Sequence, residues 1–76
     1  MRIGLVIEHF DPRRGGVEQW TAQFATRLME RGHEVHVVAR SFAQSVTATQ
    51  IIPHPVVDAP SRIDFAQAAQ DILESL

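Results

Sequence analysis

The sequence has no cysteine and no lysine, and all its apolar runs are short. Without cysteine the chain forms neither a disulfide scaffold nor a thiolate metal site, which suits a reducing compartment such as the cytoplasm. A helix that spans a bilayer needs roughly 20 consecutive apolar residues, and no segment provides them. We expect no secretory signal either, because Arg2 precedes a short strand-like run that charged residues follow.

The charge and length of the chain narrow its class further. The net charge of −2 over 76 residues gives no electrostatic basis for binding nucleic acid. A chain of this size forms one small domain and buries only about 60% of the surface that its unfolded form exposes. We therefore expect residues 1–76 to form a single unit with a modest core.

The apolar pattern predicts three strands. Arg2 to Glu8 is apolar at both alternating sets of positions, which is typical of a parallel strand covered on both faces. A loop, HFDPRRGG, follows it, and His33 to Ala39 forms a second strand. Gln50 to Pro53 predicts a short third strand. Its direction stays open, because the link before it is shorter than the dozen residues usual for a parallel crossover.

Two amphipathic helices complete the pattern. The first ends at the left-handed cap Gly32, and the second begins at Ser61 or Asp64. Their apolar stripes recur at helical spacing and consist of Val17, Trp20, Thr21, Phe24 and Leu28, then Phe65, Ala68, Ala69, Ile72, Leu73 and Leu76. The predicted fold class is α/β, a partial Rossmann-like β-α-β-β-α unit with a mostly parallel three-stranded sheet and helices packed on it.

The sharpest candidate site is the pair Gly15 and Gly16 before the first helix. Glycine lets a ligand approach the backbone closely, and the helix start offers unpaired N–H groups to an anion such as phosphate. A turn that uses glycine only for tight geometry remains the alternative. The adjacent glycines do not form the dinucleotide motif G-x-G-x-x-G, and no Gly-Lys-Ser/Thr follows to make a P-loop.

Other polar residues are weaker candidates. Arg13 and Arg14 offer guanidinium groups to a phosphate, or lie solvated in the loop. Glu8 and His9 follow the first strand, where a carboxylate and an imidazole could position a sugar hydroxyl or shuttle a proton, though polar residues are common at strand ends. We expect four other side chains to be structural, with His33 and His36 at the surface, His54 in a turn and Trp20 in the core.

Two motifs resemble the amino-terminal part of the family-4 retaining glycosyltransferases of GT-B architecture. One is a Gly-Gly-Val-Glu helix start after a Phe-x-Pro loop, and the other is an Arg-Gly-His-Glu-Val turn into the next strand. They occupy Phe10, Pro12, residues 15–18 and residues 31–35. A second similarity, over QIIPHPVVDAPSRIDFAQAAQDIL, is to the lipopolysaccharide-core glucosyltransferase branch.

The resemblance implies that residues 1–76 are an incomplete amino-terminal Rossmann-like subdomain. The parent enzyme would transfer a sugar from a nucleotide-sugar donor to a glycan or lipid-linked acceptor, at the inner face of a membrane where the acceptor is a lipid. Gly15 and Gly16 would lie against the donor diphosphate, and Arg13 and Glu18 towards the acceptor. The family's catalytic histidine and paired glutamates lie further along, so the resemblance implies no catalytic residue, metal site or cofactor here and an inactive isolated chain.

Two other classes of function stay open. The same loop would serve a stand-alone nucleotide- or phosphate-binding module, and a non-catalytic interaction domain would need its glycines only to turn the chain. The resembled sheet has the order 3-2-1-4, so the first strand lies at an edge when the fourth is absent. That strand has no charge or proline between Ile3 and Ile7, and we therefore expect self-association through it.

Overall fold

A computed structural model describes residues 1–43 and 50–76 of the chain. The elements are β1 (Arg2–Val6), β2 (His9–Phe10), α1 (Gly16–Glu30), β3 (Glu34–Ala39), β4 (Ser41–Phe42), β5 (Ile52–Pro55) and α2 (Arg62–Ser75). The main sheet has the order β1-β3-β5, with both pairs parallel, and a two-stranded parallel sheet joins β2 to β4. This confirms the predicted α/β fold class.

The third strand of the main sheet is parallel to its neighbour, which settles the direction that the short link left open. His36 lies opposite Ile52, and Ala39 lies opposite Pro55. This strand begins two residues later than the predicted start at Gln50. Most of the link before it, residues 44–49, lies outside the described residues.

Both helices end or begin as their sequence signals indicate. After α1, Gly32 has a φ of 86°. The N–H groups of Gly32 and His33 donate to the carbonyls of Met29 and Leu28 at 3.0 and 3.1 Å, which is the Schellman pattern. At α2, Ser61 is the N-cap, because its Oγ accepts from the Asp64 N–H at 3.1 Å. The alternative start at Asp64 was wrong.

The core has two parts, one under each helix. The α1 face buries Phe10, Ala25, Val35, Val37, Ala39 and Ile51, and the α2 face buries Val38, Val56, Ala59, Phe65 and Ala69. The prediction that Trp20 lies in the core was wrong, because its side chain is 62% exposed. Val17 and Phe24 of the predicted stripe are 70% and 37% exposed.

β1 is buried on one face more than on the other. Leu5 packs against the α1 core, whereas Val6, which points to the α2 face, is 46% exposed. The expectation that this strand is covered on both faces was therefore wrong. The end of α2 contacts the strand at Gly4, where a Cβ would overlap the Leu73 side chain and would require that side chain to shift.

Candidate functional site

The predicted ligand loop leaves the sheet from a buried anchor, Phe10. This residue is 1% exposed, and its ring meets the Phe42 ring edge-on with centroids 6.0 Å apart. The Ala43 N–H donates to the Phe10 carbonyl at 3.0 Å. The short strands β2 and β4 thus extend beyond β1 and β3, and they hold the loop at the carboxyl edge, where open α/β sheets bind ligands.

Asp11 organises the loop that follows. Its carbonyl accepts from the Arg14 N–H at 3.0 Å, and its Oδ1 accepts from the Arg13 N–H at 3.0 Å, as in an Asx turn. The Arg13 Nε donates to the same Oδ1 at 3.2 Å. The backbone N–H of Arg13, and then its side chain, lower the pKa of Asp11. The Arg13 guanidinium therefore pairs within its own loop, although its side chain is 82% exposed.

The helix α1 begins without a capping side chain. Gly15, at the N-cap, is extended with φ 172° and ψ −174°, and no side chain accepts a hydrogen bond from the first turn at that position. The first helical bond runs from the Gln19 N–H to the Gly15 carbonyl at 3.1 Å. The N–H groups of Gly16, Val17 and Glu18 precede this bond, and they carry the positive end of the helix dipole.

Neither backbone conformation nor packing requires the glycines at this helix start. Gly32 needs its left-handed φ, and a Cβ on Gly4 would displace the Leu73 side chain, but a Cβ on Gly16 would meet no atom within 4 Å. A Cβ on Gly15 would meet only a carboxylate, at 3.8 Å, and its extended backbone is open to any residue. What the two glycines do provide is free access from solvent to the helix N–H groups.

The carboxylate beside Gly15 belongs to Glu18, in the first turn of α1. Both of its oxygens lie 3.8 Å from the position of a Gly15 Cβ, so the side chain folds back over the helix start. A negative charge is stabilised there by the helix dipole. An anionic ligand at the helix start would therefore meet one negative charge of the chain itself.

The ends of β1 and β3 bring further polar groups to the same edge. The Arg40 N–H donates to the Glu8 carbonyl at 2.7 Å, and its Nε lies 3.7 Å from Glu8 Oε1. The His9 Nδ1 lies 2.8 Å from Ser41 Oγ. The carboxylate and the imidazole expected at this edge are thus both present. Arg40, just after β3, holds Glu8, and Ser41 of β4 holds His9.

Arg40 is the residue of this edge that the sequence analysis missed. Its guanidinium donates to the carbonyls of Ala59 and of Ser61, the latter at 2.8 Å, and lies 4.9 Å from the centroid of the Phe65 ring. It thereby joins the carboxyl end of β3 to the start of α2. The sequence signal that could have identified Arg40 is its position, because it is the first charged residue after the apolar run of β3.

Comparison with known proteins identifies the family of the chain. The family model Glycosyltransferase Family 4 matches residues 14–74, which include the uncapped helix start and nearly all of α2. The chain belongs to glycosyltransferase family 4. No curated protein and no solved structure matches it. The match covers Gly15, Gly16 and Glu18, whereas Glu8, His9 and Arg13 precede it.

Two histidines of this family-4 chain lie together on the α2 face of the sheet. His36 was expected at the surface but is 7% exposed, and His54 was expected in a turn but belongs to β5. The His36 Nδ1 lies 2.9 Å from the His54 Nε2, and the rings stack with centroids 5.1 Å apart. Both expectations were wrong because parallel pairing of β5 with β3 brings these side chains together.

A carboxylate orients this histidine pair. Glu34 Oε2 accepts from the His36 Nε2 at 2.7 Å and from the Arg2 Nε at 2.8 Å, and these bonds, that of His36 first, lower the pKa of Glu34. Arg2 Nη1 also donates to the Leu76 carbonyl at 2.9 Å. The network lies at the amino end of β3, opposite the ligand loop, so it joins the strands to the end of α2.

The outer face of α1 carries a stacked aromatic pair. The rings of Trp20 and Phe24 lie 5.0 Å apart at an interplanar angle of 15°. With Gln23 and Arg27 they line a shallow groove of about 260 Å³. This surface faces away from the sheet and is separate from the Gly15–Gly16 loop.

The described parts of the family-4 chain offer neither a metal site nor a membrane-spanning helix. In residues 1–43 and 50–76, no group of three or more His, Cys, Asp or Glu side chains is placed to hold a metal ion. Neither α1 nor α2 is long and apolar enough to cross a membrane.

Proposed function

We propose that this family-4 glycosyltransferase chain binds the diphosphate of a nucleotide-sugar donor at Gly15, Gly16 and the start of α1. The observation that carries the proposal is the uncapped helix start, located at the carboxyl edge of a parallel sheet. Unpaired N–H groups and the helix dipole stabilise phosphate oxygens, and the missing Cβ atoms let those oxygens come close. Because nothing in the fold requires these glycines, ligand access is a better explanation for them than turn geometry.

In this proposal Glu18 and Arg13 face the acceptor. The Glu18 carboxylate would repel a diphosphate but can accept a hydrogen bond from a sugar hydroxyl, so we assign it to the acceptor side. The acceptor is a glycan or a lipid-linked sugar, as in the lipopolysaccharide core, and transfer retains the anomeric configuration. The groups that carry out the transfer belong to segments other than residues 1–76, so this chain alone binds the donor without transferring its sugar.

The test is to titrate the chain with inorganic phosphate and, separately, with a nucleoside diphosphate, and to measure the change in each backbone amide chemical shift. We expect the shifts to cluster between Arg13 and Gln19. Gly16→Ala should weaken binding at least several-fold, because a methyl group then occupies the approach to the helix N–H groups. The same change should leave the fold intact or slightly more stable, because alanine favours helix and its Cβ meets no atom.

Opposite effects on binding and on stability distinguish a ligand site from a structural glycine. Gln23→Ala, an exposed change in the same helix, is the matched control and should alter neither property by much. Shifts that cluster in α2, or binding that Gly16→Ala leaves unchanged, would contradict the proposed site.

A charge change at Glu18 sharpens the test. Its carboxylate lies beside Gly15, so Glu18→Gln removes a repulsive charge and should tighten phosphate binding severalfold. Increasing salt should reduce this difference, because screening weakens the repulsion. Weaker phosphate binding by Glu18→Gln would show that the anion binds elsewhere.

The exposed Trp20–Phe24 pair favours a second candidate, a non-catalytic interaction domain. Large exposed aromatic side chains often mark a protein contact. Loop amides that do not shift in saturating phosphate, together with loss of a binding partner in Trp20→Ala, would favour this function over donor binding.

A further inference from the structure

A pair of histidines joins β3 to β5, away from the proposed donor loop. His36 of β3 is 7% exposed, and its Nδ1 lies 2.9 Å from the Nε2 of His54 in β5. The ring centroids are 5.1 Å apart, so the two nitrogens lie between the rings and face each other. A contact of this length between two nitrogens is a hydrogen bond, in which one nitrogen carries a proton and the other offers its lone pair.

Glu34 determines which of these nitrogens carry protons. Its Oε2 lies 2.7 Å from the His36 Nε2, and an ionised carboxylate can only accept, so this nitrogen carries a proton. A neutral His36 then offers the lone pair of its Nδ1, and the His54 Nε2 is the donor. The hydrogen bond from His36 lowers the pKa of Glu34, which keeps this carboxylate ionised throughout the range in which histidine changes charge.

The pair has room for one added proton but not for two. In the neutral pair, each ring carries its proton at Nε2. One added proton binds at the remaining nitrogen of His54, and the hydrogen bond between the rings persists. A second added proton must bind at the His36 Nδ1, and two N–H groups then face each other where the nitrogens now lie 2.9 Å apart. The hydrogen bond is lost, and two positive charges repel each other.

The surroundings do not compensate a second charge. Glu34 already pairs with Arg2, whose Nε lies 2.8 Å from the same Oε2. Within residues 1–43 and 50–76, no further ion pair or hydrogen bond reaches either ring, and residues 44–49 contain no charged side chain. On this face α2 turns apolar residues to the sheet, and its charged side chains are exposed: Arg62, Asp64, Asp71 and Glu74. A charge that leaves water without a partner is costly.

We propose that the His36–His54 pair is a pH-sensitive latch, closed while it holds at most one added proton and open when both rings are charged. The element that it releases is β5, which is four residues long and, in the part of the chain that the structure describes, pairs only with β3. A short strand with one partner has few backbone hydrogen bonds, so its side-chain contacts decide whether it stays paired.

The proton count gives the sign of the pH effect. In the released strand both histidines bind protons independently, whereas the closed latch holds only one added proton. The open form therefore binds more protons at low pH, and the latch loses stability as the pH falls. The change lies within roughly pH 5 to 8, where histidine changes charge.

Amide hydrogen exchange tests the latch in the unaltered chain. From about pH 7.5 to about pH 5.5, exchange at His54 and Val56, corrected for the intrinsic effect of pH, should become at least about tenfold faster relative to Leu5 of β1. Nitrogen-15 spectra of the rings should show His36 and His54 titrating as a coupled pair in two steps. Equal changes in β5 and β1, or two rings that titrate independently, would overturn the proposal.

The variant His54→Gln separates the charge from the hydrogen bond. Its side-chain amide donates to a neutral His36 and can rotate to accept from a charged one, but it gains no charge itself. We expect exchange in β5 of this variant to stay slow at both pH values. His33→Gln is the matched control, because His33 lies outside the pair, and its β5 should open like that of the unaltered chain. An unchanged pH dependence in His54→Gln, or its loss in His33→Gln, would contradict the latch.

Discussion

The two helices carry similar apolar stripes, but they bury them differently. In α2 the predicted stripe faces the sheet, with Phe65 and Ala69 8% and 3% exposed. In α1 the buried residues are Thr21 and Ala25, while Trp20 and Phe24 stack on each other towards solvent. An apolar stripe therefore indicates a helix more securely than it indicates which of its residues lie in the core.

The sheet beneath each helix explains the difference. On the α1 side the largest buried side chain is Phe10, which comes from β2, and it packs with Val35 and Val37. Ala25 is the buried apolar residue of α1 on this side, and Leu28 and Met29 pack partly buried against the same core. On the α2 side the helix supplies the large apolar ring, Phe65. Cores are close-packed, so one aromatic ring fills the space that a second would need.

The largest expected effect is on the α2 side. Phe65→Ala should lower the free energy of unfolding by about 3–5 kcal/mol, because it empties a buried ring position and removes the partner of Arg40. A loss of this size should leave so small a domain largely unfolded. Urea unfolding followed by circular dichroism measures it.

The corresponding change in α1 is the control. Phe24→Ala should cost about 1 kcal/mol or less, because it removes mainly a stack on a solvent-facing ring. Trp20 is the single tryptophan, and its emission should be readily quenched by acrylamide in the folded chain. If Phe24→Ala lowered the free energy of unfolding as much as Phe65→Ala does, the contrast between the two helices would be wrong.

An intermediate effect is expected where α1 packs close to the sheet. Ala25 is 1% exposed, so Ala25→Leu inserts methyl groups into filled space and should cost about 1–3 kcal/mol. Gln23→Leu adds the same leucine on the exposed side and should change stability by no more than about 0.5 kcal/mol. Unchanged stability in Ala25→Leu would mean that the α1 face is loosely packed.

The smallest effect is a pH dependence centred on the α2 side. The pKa of Glu34 lies below its ordinary value of 4.5, chiefly because His36 donates to it. Between the folded and unfolded pKa values, the unfolded chain binds the proton more readily than the folded chain does. The contribution of Glu34 to the free energy of unfolding is therefore present above pH 4.5 and is lost as the pH falls below it. Urea midpoints between pH 3 and 6 measure this loss.

The matched variant for this experiment is Glu34→Gln, which cannot titrate. Its midpoint should fall less steeply below pH 4.5 than that of the unaltered chain, with the remaining slope due to other carboxylates such as Asp11. Amides of α2 should lose protection before those of α1, because Arg2 joins Glu34 to the Leu76 carbonyl. Identical slopes in the two chains would show that this network does not contribute.

Local sequence signals predicted both helices and the three strands of the main sheet, but not β2 and β4, which lie in segments interpreted as irregular. Gly32 ends α1 and Ser61 starts α2 because each effect needs only neighbouring backbone groups. The direction of β5 was not predictable, since it depends on pairing with β3 and not on its own residues. The burial of His36 was missed for the same reason, because it needs both β5 and α2 beside it.

The candidate site divides in the same way. Gly15 and Gly16 were proposed from one helix start and Glu18 from the resemblance; the family match includes these positions, and their role in binding stays a prediction. Arg40 was missed because its partners, Ala59 and Ser61, are distant in sequence.

The sequence by itself determined where the two helices and the three strands of the main sheet form, the family of the chain and the presence of an uncapped helix start. These depend on composition, periodicity and caps, which act over a few residues. Only the tertiary structure decided which face of α1 is buried, how β5 is directed and that β2 pairs with β4. These depend on space filled by distant side chains, such as Phe10, and on the partners of each strand.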